Sequence, residues 1–128
     1  MGRRDAVDAL SMMKTAAVLL GIAAIGGLVM AIIRFRGADR PPTVVLMAHG
    51  LLAAAALTLL LYACFTAGLP ALAMAATGIF VVVAIVGAGL NLKYHSRMLP
   101  VPKTPIVIHG LVAVVGYVLL LLAVMAQP

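Results

Sequence analysis

Two histidines with the same neighbours lie inside apolar stretches of this chain, 60 positions apart. His49 and His109 are each followed by glycine and leucine, and each comes a few residues after a proline. An ionisable side chain in lipid is costly, so it marks a candidate functional site. Because neutral imidazole is the commonest metal ligand in proteins, two of them in equivalent surroundings predict one shared metal-containing ligand.

The composition shows what must position these histidines. The chain has 128 residues, of which 66% are hydrophobic and 9% charged, with a mean hydropathy of +1.26. Soluble domains carry roughly 25% charged residues, so we expect an integral membrane protein. A span needs about 20 mostly apolar residues, and in lipid it must be helical to satisfy its backbone. Four stretches qualify: about 15–33, 44–66, 70–92 and 105–126.

These spans predict an all-α protein: one transmembrane domain over 1–128, arranged as a four-helix up-down-up-down bundle. The short connections leave no room for a nucleotide-binding or hydrolase core. The net charge of +6 does not indicate nucleic-acid binding, because the basic residues lie at helix ends. The apolar stretches contain no acidic residue, which disfavours a proton-coupled carrier.

The chain also looks duplicated. Residues 15–66 align with residues 75–126 without gaps, so each half is predicted to be one copy of a helical hairpin. Both copies would enter the membrane in the same direction, as a parallel repeat. The informative matches are Gly27 with Gly87, Pro42 with Pro102, and the two His-Gly-Leu segments.

Such a repeat places His49 and His109 at the same depth on helices 2 and 4. Those helices are diagonal in a sequential bundle, roughly 13 Å apart, which is too far for two imidazoles to touch. The separation suits two imidazoles on opposite faces of a flat macrocycle, and one haem b with both histidines as axial ligands is the leading candidate. Backbone carbonyls near Val45 and Pro105 are expected to bind the other ring nitrogens. Small residues are expected to pack beside the cofactor, or simply to allow close helix packing: Gly27, Gly87, Ala53 and Ala113.

The basic loops predict an orientation. Six of the nine Lys and Arg residues lie around the connections between helices 1 and 2 and between helices 3 and 4. The positive-inside rule places these loops in the cytoplasm and both termini outside, in what we expect to be a bacterial inner membrane. Donors on the loop side are candidates for the haem propionates, or for lipid headgroups alone: Arg34, Arg36, Lys93, Tyr94, Arg97 and Lys103.

Two further groups are weaker candidates. His95 is expected in the headgroup region, where a solvated role competes with one in electron or proton entry. Soft sulfur ligands that suit Cu(I) fall at similar depth at the opposite end: Met12, Met13, Met74, Met125 and Cys64. Methionine is also an ordinary gap filler in apolar interiors.

The arrangement of His49 and His109 resembles that of transmembrane b-type cytochromes, in which paired histidines on two parallel helices ligate haem. The resemblance covers the architecture of most of the chain. It implies a low-spin haem that exchanges electrons and does not activate oxygen. The ascorbate-reducible members hold two haems with two histidine pairs, whereas helices 1 and 3 here carry no second pair.

Three functions therefore stay open. The first is a one-haem electron-transfer protein that serves a quinone or a partner redox subunit. The second is a non-catalytic membrane anchor or structural subunit of a larger complex, whose histidines only bridge helices. The third is a small metal transporter or channel with a two-histidine site. The sequence leaves undecided whether the protein is an enzyme, and an electron carrier is the favoured expectation.

Overall fold

The computed structural model describes residues 2–128, which form four long helices with short connections. The prediction of an all-α protein is confirmed, and no strand occurs in the described residues. The helices are α1 (Arg3–Phe35), α2 (Thr43–Thr66), α3 (Ala71–Leu90) and α4 (Lys103–Met125). A π-helical segment, Asn91–His95, continues α3.

Prolines set three of the four helix starts. Pro42, Pro70 and Pro102 are the residues just before α2, α3 and α4, with φ of −59°, −62° and −61°. The pyrrolidine ring holds φ near this value and has no N–H to lose, so proline suits the beginning of a helix. The predicted starts at 44, 70 and 105 are accordingly within two residues of the observed ones.

Helix α1 is longer than its predicted span. It begins at Arg3 instead of residue 15, because an apolar stripe continues back through Ala9 and Met13, which are 3% and 1% exposed. Charged residues on the outer face lower the mean hydropathy of this segment, so the hydropathy of the sequence does not reveal the buried stripe. The Asp5 carboxylate accepts a hydrogen bond of 2.9 Å from the Gly2 backbone N–H at the helix start.

Within residues 2–128, four helices are long and apolar enough to cross a membrane, the third including the π-helical segment. Their outer surfaces are apolar: Ile25, Val44 and Ile85 expose 66%, 80% and 67% of their surface. Such surfaces are stable in contact with acyl chains and unfavourable in water. These exposed apolar surfaces agree with the expectation of an integral membrane protein.

The helices pack as two close pairs. The largest contacts join α1 to α2 and α3 to α4, and smaller ones join α1 to α4 and α2 to α3. Helices α2 and α4 share no comparable contact, so they lie across the bundle from each other. The two histidine-bearing helices are therefore diagonal.

Both basic connections lie at one end of the bundle, which we name the loop end. Arg34 Nε donates a 2.7 Å hydrogen bond to the Val101 carbonyl, and the Val101 N–H donates to the Asp39 carbonyl at 3.1 Å. At the opposite end, Ala67 and Leu69 belong to the same buried cluster as the first turns of α1.

Burial is uneven along the bundle. The buried helix residues all lie in the core half: residues 9–23, 56–63, 73–80 and 116–123. No residue is buried in the open half next to the loop end: residues 24–35, 43–55, 81–95 and 103–115. The helices are thus closely packed in one half and loosely packed in the half that contains both histidines.

Replacement of Leu60 by alanine is expected to lower the free energy of unfolding by about 2–5 kcal/mol, because it removes packing from a fully buried site. Leu51→Ala, at a residue 64% exposed, is the control and is expected to change it by less than about 0.5 kcal/mol. Thermal unfolding in detergent, followed by circular dichroism, measures both. Equal losses in the two variants would contradict the division into a core half and an open half.

Candidate functional site

The structure brings His49 of α2 and His109 of α4 together across the bundle. The centres of the two imidazole rings are 6.4 Å apart, and the ring planes meet at 64°. Both side chains are half-buried. They lie in the open half, so no closely packed layer separates them.

His49 is held by the neighbouring helix of its own pair. Its Nδ1 lies 2.7 Å from the Ala23 carbonyl of α1. Because a carbonyl only accepts, Nδ1 carries the proton and donates, which leaves Nε2 as the nitrogen with a free lone pair. The expectation that the Val45 carbonyl would be the partner is wrong, because the ring bonds to a carbonyl of the neighbouring helix instead of one in its own.

His109 has a similar setting on α3. Its Nδ1 is buried and has no hydrogen-bond partner within residues 2–128. The nearby backbone acceptor is the Val83 carbonyl, 60 positions after Ala23, but the geometry does not complete a hydrogen bond. An unpaired buried polar atom costs about 1–3 kcal/mol, so a small ring rotation toward Val83 would be favourable.

Glycines on α1 and α3 make room for the two rings. A Cβ atom on Gly27 would lie 3.1 Å from Cε1 of His49, and one on Gly87 would lie 3.0 Å from Cε1 of His109. The space that these glycines leave is therefore taken by the imidazoles, where a cofactor was expected. Ala53 and Ala113, one turn after each histidine, are half-buried beside the site.

Gly27 also explains why the Ala23 carbonyl is the hydrogen-bond acceptor of His49. Gly27 follows Ala23 by four residues, so its N–H bonds the same carbonyl within α1. A side chain at Gly27 would displace the imidazole from this carbonyl, whose second lone pair is free for His49. Sequence reasoning missed Ala23, although a glycine opposite a membrane histidine is the signal that points to it.

The same arrangement, a helix carbonyl followed four residues later by a glycine, recurs at Tyr117, a residue that sequence reasoning did not single out. The Tyr117 hydroxyl of α4 donates a 3.0 Å hydrogen bond to the Ala17 carbonyl of α1. Gly21 lies four residues after Ala17, and a Cβ there would come within 2.8 Å of the hydroxyl. Tyr117 thereby ties α4 to α1 at the boundary of the core half.

The candidate propionate donors lie at the loop end but have diverse contacts. Arg34 is committed to the backbone carbonyls of Val101 and Ala38, so it fastens the two connections together. The ammonium of Lys93 lies 5.4 Å from the ring centre of Tyr94, and that of Lys103 lies 5.3 Å from the ring of Phe35. The remaining two, Arg36 and Arg97, are exposed.

The sulfur ligands at the opposite end differ widely in burial. Met13 is buried, whereas Met74 and Met125 are 52% and 80% exposed. His95, at the end of the π-helical segment, lies at the loop end, with Nε2 3.4 Å from the Thr43 hydroxyl. It is not part of the His49–His109 pair.

Comparison of the chain with protein families, curated proteins and solved structures gives no match in any of the three. The functional information lies in the two imidazoles. Among residues 2–128 no group of three His, Cys, Asp or Glu side chains is placed to hold a metal ion. A structural zinc site needs about four protein ligands, which the two histidines alone do not supply.

Gly87→Ala is expected to destabilise the protein by about 1–3 kcal/mol, because the new methyl group overpacks the His109 ring. Gly110→Ala is the matched control: it lies beside His109, and a Cβ there meets nothing within 4 Å. That change is expected to stabilise the helix by roughly 0.5–1 kcal/mol. Thermal midpoints in detergent compare the two, and a stabilising Gly87→Ala would show that the ring does not rest on this glycine.

Proposed function

We propose that this chain is a membrane b-type cytochrome that holds one haem b between His49 and His109. It would carry electrons to or from a quinone or a partner redox subunit. The observation that carries the proposal is the pair of inward-facing imidazoles, 6.4 Å between centres, in the loosely packed half of the bundle. Haem with two imidazole ligands supplies one-electron redox chemistry and has no open position for oxygen.

The ring separation supports this assignment. Imidazole–metal bonds of roughly 2.0–2.1 Å, with about 1.1 Å from nitrogen to ring centre, place two rings on opposite sides of one metal about 6.3 Å apart. The observed distance is 6.4 Å. The donor set also fits, because a porphyrin provides the four nitrogen ligands that the chain lacks.

The open half supports it as well. A porphyrin held by His49 and His109 would need space between α2, which belongs to the α1–α2 pair, and α4, which belongs to the α3–α4 pair. Contacts between these pairs are the smaller ones in the bundle, and the helix segments around the histidines contain no buried residue. The core half keeps the four helices together without using the space beside the imidazoles.

Each residue of the site then has a role. The Ala23 carbonyl orients the His49 ring, keeps its proton on Nδ1 and makes Nε2 a better donor to a metal. The Val83 carbonyl lies near His109 and would do the same once the ring rotates toward it. Exposed guanidinium groups at Arg36 and Arg97 are free to pair with propionates, with Arg34, Lys93, Tyr94 and Lys103 on the same end of the bundle.

We further infer a duplicated hairpin with up-down-up-down topology. Burial follows the shift of 60: Leu60 and Leu120 are both fully buried, and Ala63 and Ala123 are 0% and 1% exposed. The contacts of the histidines with Gly27 and Gly87 repeat in the same way. Connections of seven residues or fewer between the helices favour antiparallel neighbours.

The haem assignment predicts a red protein. Purified in detergent after expression with adequate haem supply, it is expected to show a Soret band that shifts on reduction and one haem per chain by pyridine haemochrome. His49→Ala and His109→Ala are expected to lose this spectrum, because each removes an axial ligand. His95→Ala is the matched control and keeps it, since His95 lies outside the pair. A colourless wild-type protein, or His109→Ala with full haem content, would refute the assignment.

The charge pattern supports a bacterial inner-membrane location with the loop end in the cytoplasm. Both basic connections lie at the loop end, which therefore carries six Lys and Arg residues, compared with three near the N-terminus. Juxtamembrane Lys and Arg are retained on the cytoplasmic side. Both termini would then lie outside.

Cysteine labelling tests this orientation. In a Cys64→Ala background, a cysteine at the exposed loop residue Ala38 is expected to react with an impermeant maleimide only after the inner membrane is broken. A cysteine at Ala126, at the opposite end, is expected to react in cells with a permeable outer membrane alone. The reverse pattern would place the loop end outside.

A structural role is the second candidate, and one observation favours it. Rings at 6.4 Å and 64° also form an edge-to-face pair, and the His49–Ala23 hydrogen bond links α1 to α2 without any cofactor. An anchor subunit of this kind would be colourless and would lose thermal stability in His49→Ala. The two-histidine transporter gains no such support, since the described residues offer no third ligand.

A further inference from the structure

A second site lies at the loop end, apart from the histidine pair. A cavity of about 470 Å³ opens between the α1–α2 connection and the end of the α3 segment. Asp39, Arg40, Thr43 and His95 form its polar lining, and Ile33 and Met98 contribute apolar surface. The cavity therefore joins an apolar wall, at the end of helices able to cross a membrane, to a strongly polar one.

The two charges in this cavity do not neutralise each other. The Arg40 guanidinium donates to the sulfur of Met98, which is a weak acceptor. Asp39 uses its backbone carbonyl to bind Val101, while its carboxylate makes no hydrogen bond or ion pair in the part of the chain that the structure describes. Asp39 is also the one acidic residue of the loop end, since Asp5 and Asp8 belong to the first turns of α1.

The beginning of α2 adds anion-binding capacity. Pro42 precedes the helix, and no side chain caps its first turn. The free N–H groups and the helix dipole favour a negative group there. The Thr43 hydroxyl, 3.4 Å from His95 Nε2, is a further hydrogen-bonding group at this point.

We propose that this cavity binds the headgroup of a phospholipid with a primary ammonium group, such as phosphatidylethanolamine. The phosphate pairs with Arg40 and the start of α2, and the ammonium pairs with Asp39. A carboxylate in the site disfavours an anionic headgroup, and a choline headgroup has no N–H to donate to it. The apolar wall at Ile33 and Met98 lies where acyl chains begin, so a membrane lipid fits better than a free phosphoester.

Native mass spectrometry of the whole protein in detergent tests this site. Phosphatidylethanolamine, phosphatidylcholine and phosphatidylglycerol with the same acyl chains are titrated in turn, and the ethanolamine lipid is expected to bind most tightly. Asp39→Asn is expected to reduce that preference roughly two- to fivefold, the effect of an exposed ion pair. Arg40→Gln is expected to weaken all three lipids, because each contains a phosphate. Arg4→Gln is the control: it removes an exposed cation of α1 outside the cavity and is expected to leave the binding of all three lipids unchanged.

Several outcomes would overturn the proposal. A preference for the glycerol lipid, or an ethanolamine preference that survives in Asp39→Asn, would remove the ammonium–carboxylate pairing. Displacement of the bound lipid by phosphoethanolamine alone would assign the site to a soluble phosphoester. Displacement by a short-chain quinone would assign it to quinone. Haem content measured in Asp39→Asn is expected to equal that of the wild type, so failure here is distinguishable from failure of the haem assignment.

Discussion

Inside a bilayer, a nitrogen or oxygen that carries a proton needs an acceptor, and the acceptors within reach are backbone carbonyls already bonded in their own helix. This protein places a glycine four residues after such a carbonyl, so that a side chain from a neighbouring helix reaches the second lone pair. Ala23 with Gly27 serves His49, and Ala17 with Gly21 serves Tyr117. The position and tautomer of His49 follow from this one contact.

The division of the bundle into two halves separates the closely packed core from the histidine pair. Small residues and three buried leucines, Leu20, Leu60 and Leu120, hold the helices together in the core half. In membranes such close packing replaces the hydrophobic driving force that assembles soluble bundles. In the open half, the distances between the helices are set by the histidines and the connections instead of by close packing. The low burial around the histidines therefore does not weaken the fold.

Much of the architecture was predictable from residue types. Continuous apolar stretches predicted four helices, and prolines at 42, 70 and 102 marked three starts. The first twelve residues of α1 were missed, because charges on its outer face mask the buried stripe through Ala9 and Met13. The π-helical segment also gave no signal, since it depends on how the chain enters the connection after His95.

The site was predictable in its residues and less so in its contacts. Matching surroundings paired His49 with His109, whereas Val45 was the wrong acceptor, because the ring turns toward α1 and bonds to Ala23. Interhelical acceptors such as Ala23 depend on the rotation of one helix against another. The fastening role of Arg34 depends likewise on where the two connections meet.

Tyr117 makes the two sides of the bundle unequal. The positions related to Tyr117 and Gly21 by the shift of 60 are Leu57 and Val81, which have no hydroxyl to share. Within the core half, the α1–α4 contact thus contains an interhelical hydrogen bond, and the α2–α3 contact relies on apolar packing. The two helix pairs are therefore joined more firmly along α1 and α4 than along α2 and α3.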